Sequence, residues 1–319
     1  MPAASLQSPT RLYDAVLLIA YGGPNALSEV RPFLANALRG HPVPPERLEI
    51  VVQHYERIGG RSPLNELTFR QARALEAELL AGGSRLSVYV GMRNWSPYIH
   101  ETLTRMAGDG VRRAVGIIMS VQQTEASWER YLHAVAAARA EVGAAAPEID
   151  YVDEWHAHPF FIEAVASAVR AALAEIPAER RSAAALVFTA HSVPTAMAVA
   201  SPYVAQITDA ARLVAEQIGH RNWSIAYQSR SGNPREAWLE PDICAVLRQL
   251  GREHVHDVVL APIGFVCDHV EVLYDLDIAA RQVAEEAGLR FIRAATVSDH
   301  PAFIRMLADV VRRRVQHPA

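Results

Sequence analysis

Two carboxylates and one imidazole carry the chemistry that this sequence indicates most directly. Glu271 and Asp275 stand four residues apart, so a helix would present both carboxylates on one face. The apolar run 258–265 precedes them and has the length of a buried strand, and Asp268 is placed to cap the helix that follows. Open α/β sheets bind ligands at the carboxyl ends of their strands, so these acids could receive a divalent cation. Taken alone, such a pair is more often part of a solvated helix face.

His191 follows a second apolar run, 184–189, that is also predicted to be a buried strand. A neutral imidazole suits a borderline metal such as Fe²⁺, and its near-neutral pKa suits a proton acceptor. The alternative is a histidine that merely caps the turn. In a doubly wound sheet both strand ends can face one crevice, where His191 and Glu271 would form a nitrogen and oxygen pair. Two ligands are too few for a structural zinc site, but they suit a metal that passes to another acceptor.

Further candidates lie outside this pair. Tyr21 ends the first predicted strand, where its phenolate could be an axial ligand to iron or its ring could pack over the sheet edge. The loop 58–64 resembles an anion-cradling loop, although it lacks the G-K-[ST] ending of a Walker motif. Side chains around that loop could bind carboxylates or be ordinary polar groups, namely His54, Tyr55 and Ser62. Trp128 could line an apolar pocket or pack a helix onto the sheet.

The elements that must position these residues alternate along the chain. Apolar runs predict strands at 15–20, 86–91, 114–119, 149–152, 184–189, 223–228 and 258–263. Helical spacing predicts helices at 28–38, after Ser62-Pro63, and at 96–108, 124–142, 159–173, 203–217, 242–250, 270–286 and 302–315. This alternation predicts parallel sheets of βαβ units in two similar domains, with a cleft between them. The stretch 39–49 is predicted to be a proline-rich loop, and His156 and His158 mark the domain boundary.

Composition narrows the classes of partner and compartment. The 319 residues carry a formal net charge of −4, which gives no basic footprint and argues against nucleic acid as a partner. The two cysteines, Cys244 and Cys267, exclude a disulfide framework and a four-cysteine cluster within one chain. No signal peptide is evident at the N-terminus, and no apolar run approaches the roughly 20 residues of a membrane span. A cytoplasmic protein is therefore expected.

Five motifs, in this order, resemble the ferrochelatase family over about residues 15–310: AYGGP, IGGRSPL, TAHSVP, YQSRSG…W and FVCDHVEVLYDLD. The resemblance implies the class II chelatase fold, an α/β architecture of two Rossmann-like domains, each with a four-stranded parallel sheet flanked by helices. The first domain would comprise residues 1–157 with the C-terminal helix 302–319, and the second residues 158–301. A porphyrin would bind in the cleft between them.

The resemblance also implies roles for individual residues. His191 and Glu271 match the catalytic pair that receives the metal, and Asp275 continues an acidic path from Glu271 for metal or protons. Porphyrin contacts are implied at Tyr21, His54, Tyr55, Ser62 and Trp128. Among these, Tyr21 matches the iron-facing tyrosine of the coproporphyrin branch, whereas His54 and Trp128 stand where arginine and tyrosine are common.

The implied reaction is insertion of Fe²⁺ into coproporphyrin III, which gives coproheme III in haem biosynthesis. Fe²⁺ and the porphyrin would be substrates of a monomer with no tightly bound cofactor, no iron–sulfur cluster and transient contacts with other haem-pathway enzymes. Protoporphyrin IX is an alternative substrate, and insertion of cobalt or nickel into a sirohydrochlorin is an alternative reaction. A non-catalytic haem or porphyrin carrier would bind through Tyr21 alone. A periplasmic-type binding module is a further alternative, against which the missing signal peptide argues.

Overall fold

Two parallel sheets of the same topology organise the protein, whose computed structural model describes residues 12–40, 44–231 and 235–317. The first sheet consists of β1 (Ala15–Ala20), β2 (Ser87–Met92), β3 (Arg113–Ile118) and β4 (Glu148–Tyr151), in the order β2-β1-β3-β4. The second consists of β5 (Ala185–His191), β6 (Trp223–Gln228), β7 (Asp257–Ala261) and β8 (Arg290–Arg293), in the order β6-β5-β7-β8. The predicted pair of Rossmann-like sheets is therefore confirmed.

The central strands explain why apolar runs predicted the sheets well. Every residue of β1 and of β7 is buried, as in parallel strands that helices cover on both faces. The edge strand β8 escapes prediction because only Phe291 and Ile292 stand between its two terminal arginines. Such a short run has no periodicity of its own, and its position follows from pairing with β7.

Twelve α-helices flank these strands in the part of the chain that the structure describes. In the first half they are α1 (Leu27–Ala37), α2 (Pro45–Arg57), α3 (Leu64–Ala81), α4 (Ile99–Gly108) and α5 (Arg130–Val142). In the second half they are α6 (Pro159–Ala174), α7 (Thr195–Val199), α8 (Tyr203–Ile218), α9 (Ile243–Arg252), α10 (Val270–Leu273), α11 (Arg281–Glu286) and α12 (Pro301–Gln316). None of the described helices has the length and apolar character needed to cross a membrane.

The predicted loop at 39–49 is wrong in its second half, because α2 begins at Pro45. Proline fits the first helical position, where its fixed φ is suitable and its missing N–H has no intrahelical partner to lose. The apolar face of α2 then packs against α1 through Val52 and Tyr55, which are buried with Phe33. Residues 41–43 of the predicted loop lie outside the described residues, as do residues 1–11, where no signal peptide is expected.

Two predicted helices, 124–142 and 270–286, are interrupted by π-helical turns. One turn, Glu125–Glu129, precedes α5, and the other, Asp275–Ala280, separates α10 from α11. Asp268 as the helix cap is also wrong, because the cap is His269, whose Nδ1 accepts the Glu271 backbone N–H at 3.1 Å. Short π-helical turns are rare and concentrate at functional sites.

The largest described hydrophobic cluster joins the two sheets through α3, α6, α8 and α12. The last helix contacts both halves of the chain. Arg312 donates to the Glu78 carbonyl of α3 at 3.2 Å, and Asp309 pairs with His158, at the start of α6, at 3.0 Å. These contacts give His158 a structural role, and the exact domain boundaries stay a prediction.

Candidate active site

His191 is the last residue of β5, at the carboxyl edge of the second sheet. Its backbone carbonyl accepts the Tyr203 hydroxyl at 2.8 Å, which fixes the strand end against α8. The imidazole Nδ1 contacts the carbonyl oxygen of Ser192. A carbonyl can only accept, so Nδ1 carries the proton in the neutral ring. The lone pair of a neutral His191 therefore lies on Nε2, the nitrogen that faces the crevice.

Glu271 meets His191 across this crevice from the first turn of α10. The Glu271 Oε1 lies 3.4 Å from the His191 Nε2, and the two side chains are 38% and 28% exposed. The Gln228 amide donates to the backbone carbonyl of Glu271, which ties α10 to the end of β6. One nitrogen and one carboxylate oxygen thus face the same partly open space, as the sequence predicts.

His191 and Glu271 shift each other's pKa toward the charged form. Burial alone would lower the pKa of His191, but the Glu271 carboxylate outweighs it and raises the pKa to about 8. Burial alone would raise the pKa of Glu271, but the imidazoles of His191 and His269 hold it well below its usual range. The crevice therefore presents a carboxylate at neutral pH, and an imidazole that releases a proton when a cation arrives.

His269 is a component of the site that the motif analysis misses. Its Nδ1 caps α10 directly at Glu271, and its ring packs edge-on against Phe265 with centroids 4.8 Å apart. Burial lowers the pKa of His269 and outweighs the charges of Glu271 and Asp268, which would raise it. The available signal was the histidine two residues before Glu271 in DHVE, at the start of a helix.

Asp275 lies at the first position of the π-helical turn that follows α10. Its carboxylate accepts the hydroxyl of Ser229, a residue held at a positive φ of 63° just after β6. Burial raises the pKa of Asp275 to about 7; the Ser229 hydrogen bond opposes this rise, and the charge of Glu271 adds to it. An acid with this pKa can exchange protons near neutral pH.

Tyr21 lies across the cleft, just past the end of β1 in the first sheet. Its ring packs edge-on against Phe33, and the Arg93 guanidinium carbon lies 5.9 Å from the ring centroid. Although the residue is 42% exposed, desolvation of the phenol raises its pKa to about 12, and the charge of Glu271 contributes to the rise. The charge of Glu271, on the second sheet's side, thus acts on a phenol at the end of the first sheet.

Two neighbouring residues of α2 lie close to this site in different ways. Tyr55 is buried against Phe33, and burial together with the Glu271 charge raises the pKa of its phenol. His54 stacks on Tyr274 with centroids 3.5 Å apart, a direct contact between the first half of the chain and the segment after Glu271. Burial and the charges of Arg47 and Arg57 lower the pKa of His54 to about 4, which keeps the ring neutral.

Ser62 and Trp128 are not brought into direct contact with the pair. Ser62 is buried in the loop before α3, where its N–H donates to the Pro24 carbonyl at 2.8 Å. Trp128 packs near Tyr151, with ring centroids 6.4 Å apart, and lines a separate open groove of about 460 Å³. Their predicted contacts with a porphyrin stay predictions.

Comparison with known proteins identifies the chain. Residues 13–315 match the family model for ferrochelatase. The chain belongs to the ferrochelatase family. It is 43% identical over 302 residues to the coproporphyrin III ferrochelatase of Mycolicibacterium smegmatis, with 94% of this chain and 89% of that protein covered. It is 44% identical to the coproporphyrin III ferrochelatase of Nocardia farcinica, with 95% and 88% covered, and 40% identical to the ferrochelatase of Rhodopirellula baltica, with 95% and 86% covered.

Solved structures support the fold of this ferrochelatase-family chain. The sirohydrochlorin chelatase SirB from Bacillus subtilis subspecies spizizenii, in complex with cobalt, superposes with a TM-score of 0.58 at 13% identity, covering 96% of this chain and 97% of that one. SirB from Bacillus subtilis with Fe³⁺ gives a TM-score of 0.59 at 10% identity, with 96% of each chain covered. At such low identity the similarity establishes the two-domain chelatase fold and no substrate.

In the described residues, His191 and Glu271 have no third metal-ligating side chain beside them. Within residues 12–40, 44–231 and 235–317, no three His, Cys, Asp or Glu side chains converge on a metal position. The two side chains of the pair, His191 and Glu271, are fewer than the four protein ligands of a structural zinc site.

Proposed function

We propose that this protein inserts Fe²⁺ into coproporphyrin III to give coproheme III in haem biosynthesis. The observation that carries the proposal is the 3.4 Å approach of His191 Nε2 to Glu271 Oε1, whose charge also acts on the phenol of Tyr21. Relatives that share 43–44% of their residues with most of this chain are named coproporphyrin III ferrochelatases.

The proposed mechanism follows from the charges of the pair. A free-base porphyrin holds two N–H protons, and both must leave as the iron enters. Glu271 stays anionic and attracts Fe²⁺, while the His191 Nε2 offers a lone pair to the metal or accepts a pyrrole proton. Asp275, with a pKa of about 7, passes protons toward solvent. Binding energy from the porphyrin periphery bends the ring and exposes its nitrogen lone pairs on one face.

Basic residues around the cleft favour coproporphyrin III over protoporphyrin IX. The charges of Arg93 and Arg130 act on Tyr21, and the charge of Arg47 acts on Asp275 and His54. Coproporphyrin III carries propionates where protoporphyrin IX carries vinyl groups, so it has more carboxylates to pair with these cations. A charge-assisted hydrogen bond contributes about 1.5–3 kcal/mol, which corresponds to a more than tenfold preference for the porphyrin that makes it.

We expect kcat/KM for coproporphyrin III to exceed that for protoporphyrin IX by at least about tenfold, the effect of one charge-assisted hydrogen bond. The measurement is anaerobic incubation of the purified protein with Fe²⁺ and each porphyrin, followed by the absorbance bands of free base and product. Equal rates with both porphyrins would contradict the preference for coproporphyrin III but not the ferrochelatase activity. Tight porphyrin binding without turnover would indicate a carrier, and faster insertion of Co²⁺ or Ni²⁺ into a sirohydrochlorin would indicate the related chelatase.

The pKa of His191 predicts how insertion depends on pH. Protonated His191 neither binds Fe²⁺ nor accepts a proton, and its pKa is about 8. At limiting Fe²⁺ the rate should therefore rise about tenfold per pH unit below pH 8 and level off above it. Saturating Fe²⁺ competes with the proton, so the midpoint should then move to lower pH. A flat profile between pH 6 and 9, measured anaerobically with Fe²⁺ and repeated with Zn²⁺, would contradict the role of this imidazole.

The protein is further proposed to act as a cytoplasmic monomer that makes transient contacts with other haem-pathway enzymes. It would need no tightly bound cofactor, because Fe²⁺ and the porphyrin bring the reacting atoms. The two cysteines, Cys244 and Cys267, are too few to hold an iron–sulfur cluster with four thiolates.

A further inference from the structure

Arg293 ends β8 with its guanidinium against two carboxylates beside the candidate metal pair. Its Nε and Nη2 lie 2.6 and 2.9 Å from the two oxygens of Asp277. Its Nη1 and Nη2 lie 3.3 and 3.2 Å from the two oxygens of Asp268. The Arg293 side chain is 13% exposed, and the two carboxylates are about one quarter exposed. The same cation is thus shared by two bidentate contacts, the strongest geometry that a guanidinium makes.

The two carboxylates flank Glu271 in the sequence. Asp268 stands three residues before Glu271 in the turn that leaves β7, and Asp277 stands six residues after it in the π-helical turn. Arg293 therefore joins the two ends of the segment 268–277 that presents the Glu271 carboxylate. The contacts hold both ends to the end of β8, the edge strand that pairs with β7 in the second sheet.

This segment has little regular structure to hold it in place. Helix α10 has only four residues, and a helix that short is unstable without tertiary contacts. The π-helical turn carries one residue more per turn than an α-helix. Relaxation to α-helical spacing would rotate the flanking side chains relative to each other by about 100°, the angle per residue in an α-helix. Glu271 keeps its place opposite His191 only if the segment is fixed from outside.

We infer that Arg293 is a positioning residue that holds the Glu271 carboxylate opposite His191 by clamping both ends of its segment. The inference rests on the proposed function, because it assigns Glu271 to receiving the metal. Thr296 supports the clamp, since its hydroxyl donates to the same Asp268 carboxylate at 3.0 Å. Arg293 sets one positive charge against two carboxylates, and the charges that shift the pKa of Glu271 come from His191 and His269, so the effect of Arg293 on Glu271 is one of geometry.

Arg180 offers a matched control. It pairs with Asp257 at the opposite, amino end of β7, with Nη2–Oδ1 and Nε–Oδ2 distances of 3.1 Å. The Asp257 carboxylate is more buried than Asp268 and Asp277, at 2% exposed, whereas the Arg180 guanidinium, at 42% exposed, is less buried than that of Arg293. Loss of either arginine leaves carboxylates without their cation, fully buried at Asp257 and partly buried at Asp268 and Asp277, and destabilises the fold. Of the two arginines, only Arg293 contacts the segment that carries Glu271.

The test compares Arg293→Met, Arg293→Lys and Arg180→Met in the full chain. Co²⁺ alone is titrated calorimetrically into each porphyrin-free protein. The same titration of His191→Ala shows whether Co²⁺ binds at the candidate pair. KM for Fe²⁺ and KM for porphyrin are measured separately. Arg293→Met should weaken Co²⁺ binding and raise KM for Fe²⁺ by about 10–100-fold, the usual effect of losing a partner that orients a metal ligand. KM for porphyrin should stay unchanged in Arg293→Met. Arg293→Lys should recover part of the lost Co²⁺ affinity.

Wild-type Co²⁺ affinity in Arg293→Met would overturn the inference, as would an equal loss in Arg180→Met. If Arg293→Met fails to fold, Asp277→Asn releases one arm of the clamp and should still raise KM for Fe²⁺ several-fold; an unchanged value there would overturn the inference as well. Co²⁺ binding needs no turnover. Weakened binding in Arg293→Met would therefore support the clamp even if the wild type made no metalloporphyrin, a result that would defeat only the proposed function.

Discussion

His191→Ala is expected to reduce the rate of iron insertion by about 10³-fold, within the range of losing a general base, while porphyrin binding persists. The substitution removes the Nε2 lone pair that faces Glu271, and with it both a ligand for Fe²⁺ and an acceptor for a pyrrole proton. The backbone should remain in place, because the Tyr203 hydroxyl bonds to the backbone carbonyl of His191 and not to its ring. Anaerobic absorbance assays of insertion, with porphyrin binding followed by fluorescence, measure the two effects separately.

His133→Ala is the matched control for this experiment. His133 lies on α5 with its side chain exposed, so its loss should leave both insertion and porphyrin binding unchanged. A His191→Ala protein that inserts iron at the wild-type rate would remove His191 from the mechanism. A variant that no longer binds porphyrin would show that the imidazole acts through the structure of the cleft and not on the reacting atoms.

The meeting of His191 with Glu271 could be predicted from the sequence because it follows from sheet geometry. Both residues follow apolar runs, and the two runs form neighbouring parallel strands whose carboxyl ends share one edge. A strand–helix alternation of this strength also fixes the fold class, since parallel strands need helical crossovers. The end of the first predicted strand also indicated Tyr21, but no pattern in the chain could show that the charge of Glu271 acts on its phenol.

Other features of the site depend on contacts that no local pattern encodes. The stacking of His54 on Tyr274 joins residues 220 positions apart, and the bonds from Arg293 to Asp268 and Asp277 cross from β8 to the helical segment. Helical periodicity over 270–286 predicts one continuous helix, because a single π-helical turn shifts the pattern by one residue only. Asp268 satisfies the preference for a helix cap, but in the structure its carboxylate is occupied by Arg293 and Thr296.

Glu271→Gln is expected to cost about 10²-fold or more in kcat/KM for Fe²⁺, the lower range for losing a group that handles charge or protons in the reaction. Glutamine keeps the volume of the side chain and a carbonyl oxygen near His191, but it removes the negative charge that attracts the cation. The change also acts on His191, whose pKa of about 8 depends on this carboxylate. Without it, burial should bring the imidazole pKa down, and the residual activity should level off at lower pH.

This double effect makes Glu271→Gln more informative than the loss of a single ligand. Glu285→Gln, the same substitution at an exposed position of α11, provides the control for removing one negative charge from this part of the chain. A Glu271→Gln protein whose insertion rate falls while its pH profile keeps the wild-type midpoint would mean that Glu271 binds metal without tuning His191. A protein with both rate and midpoint unchanged would show that the two side chains meet at 3.4 Å without acting together on the iron.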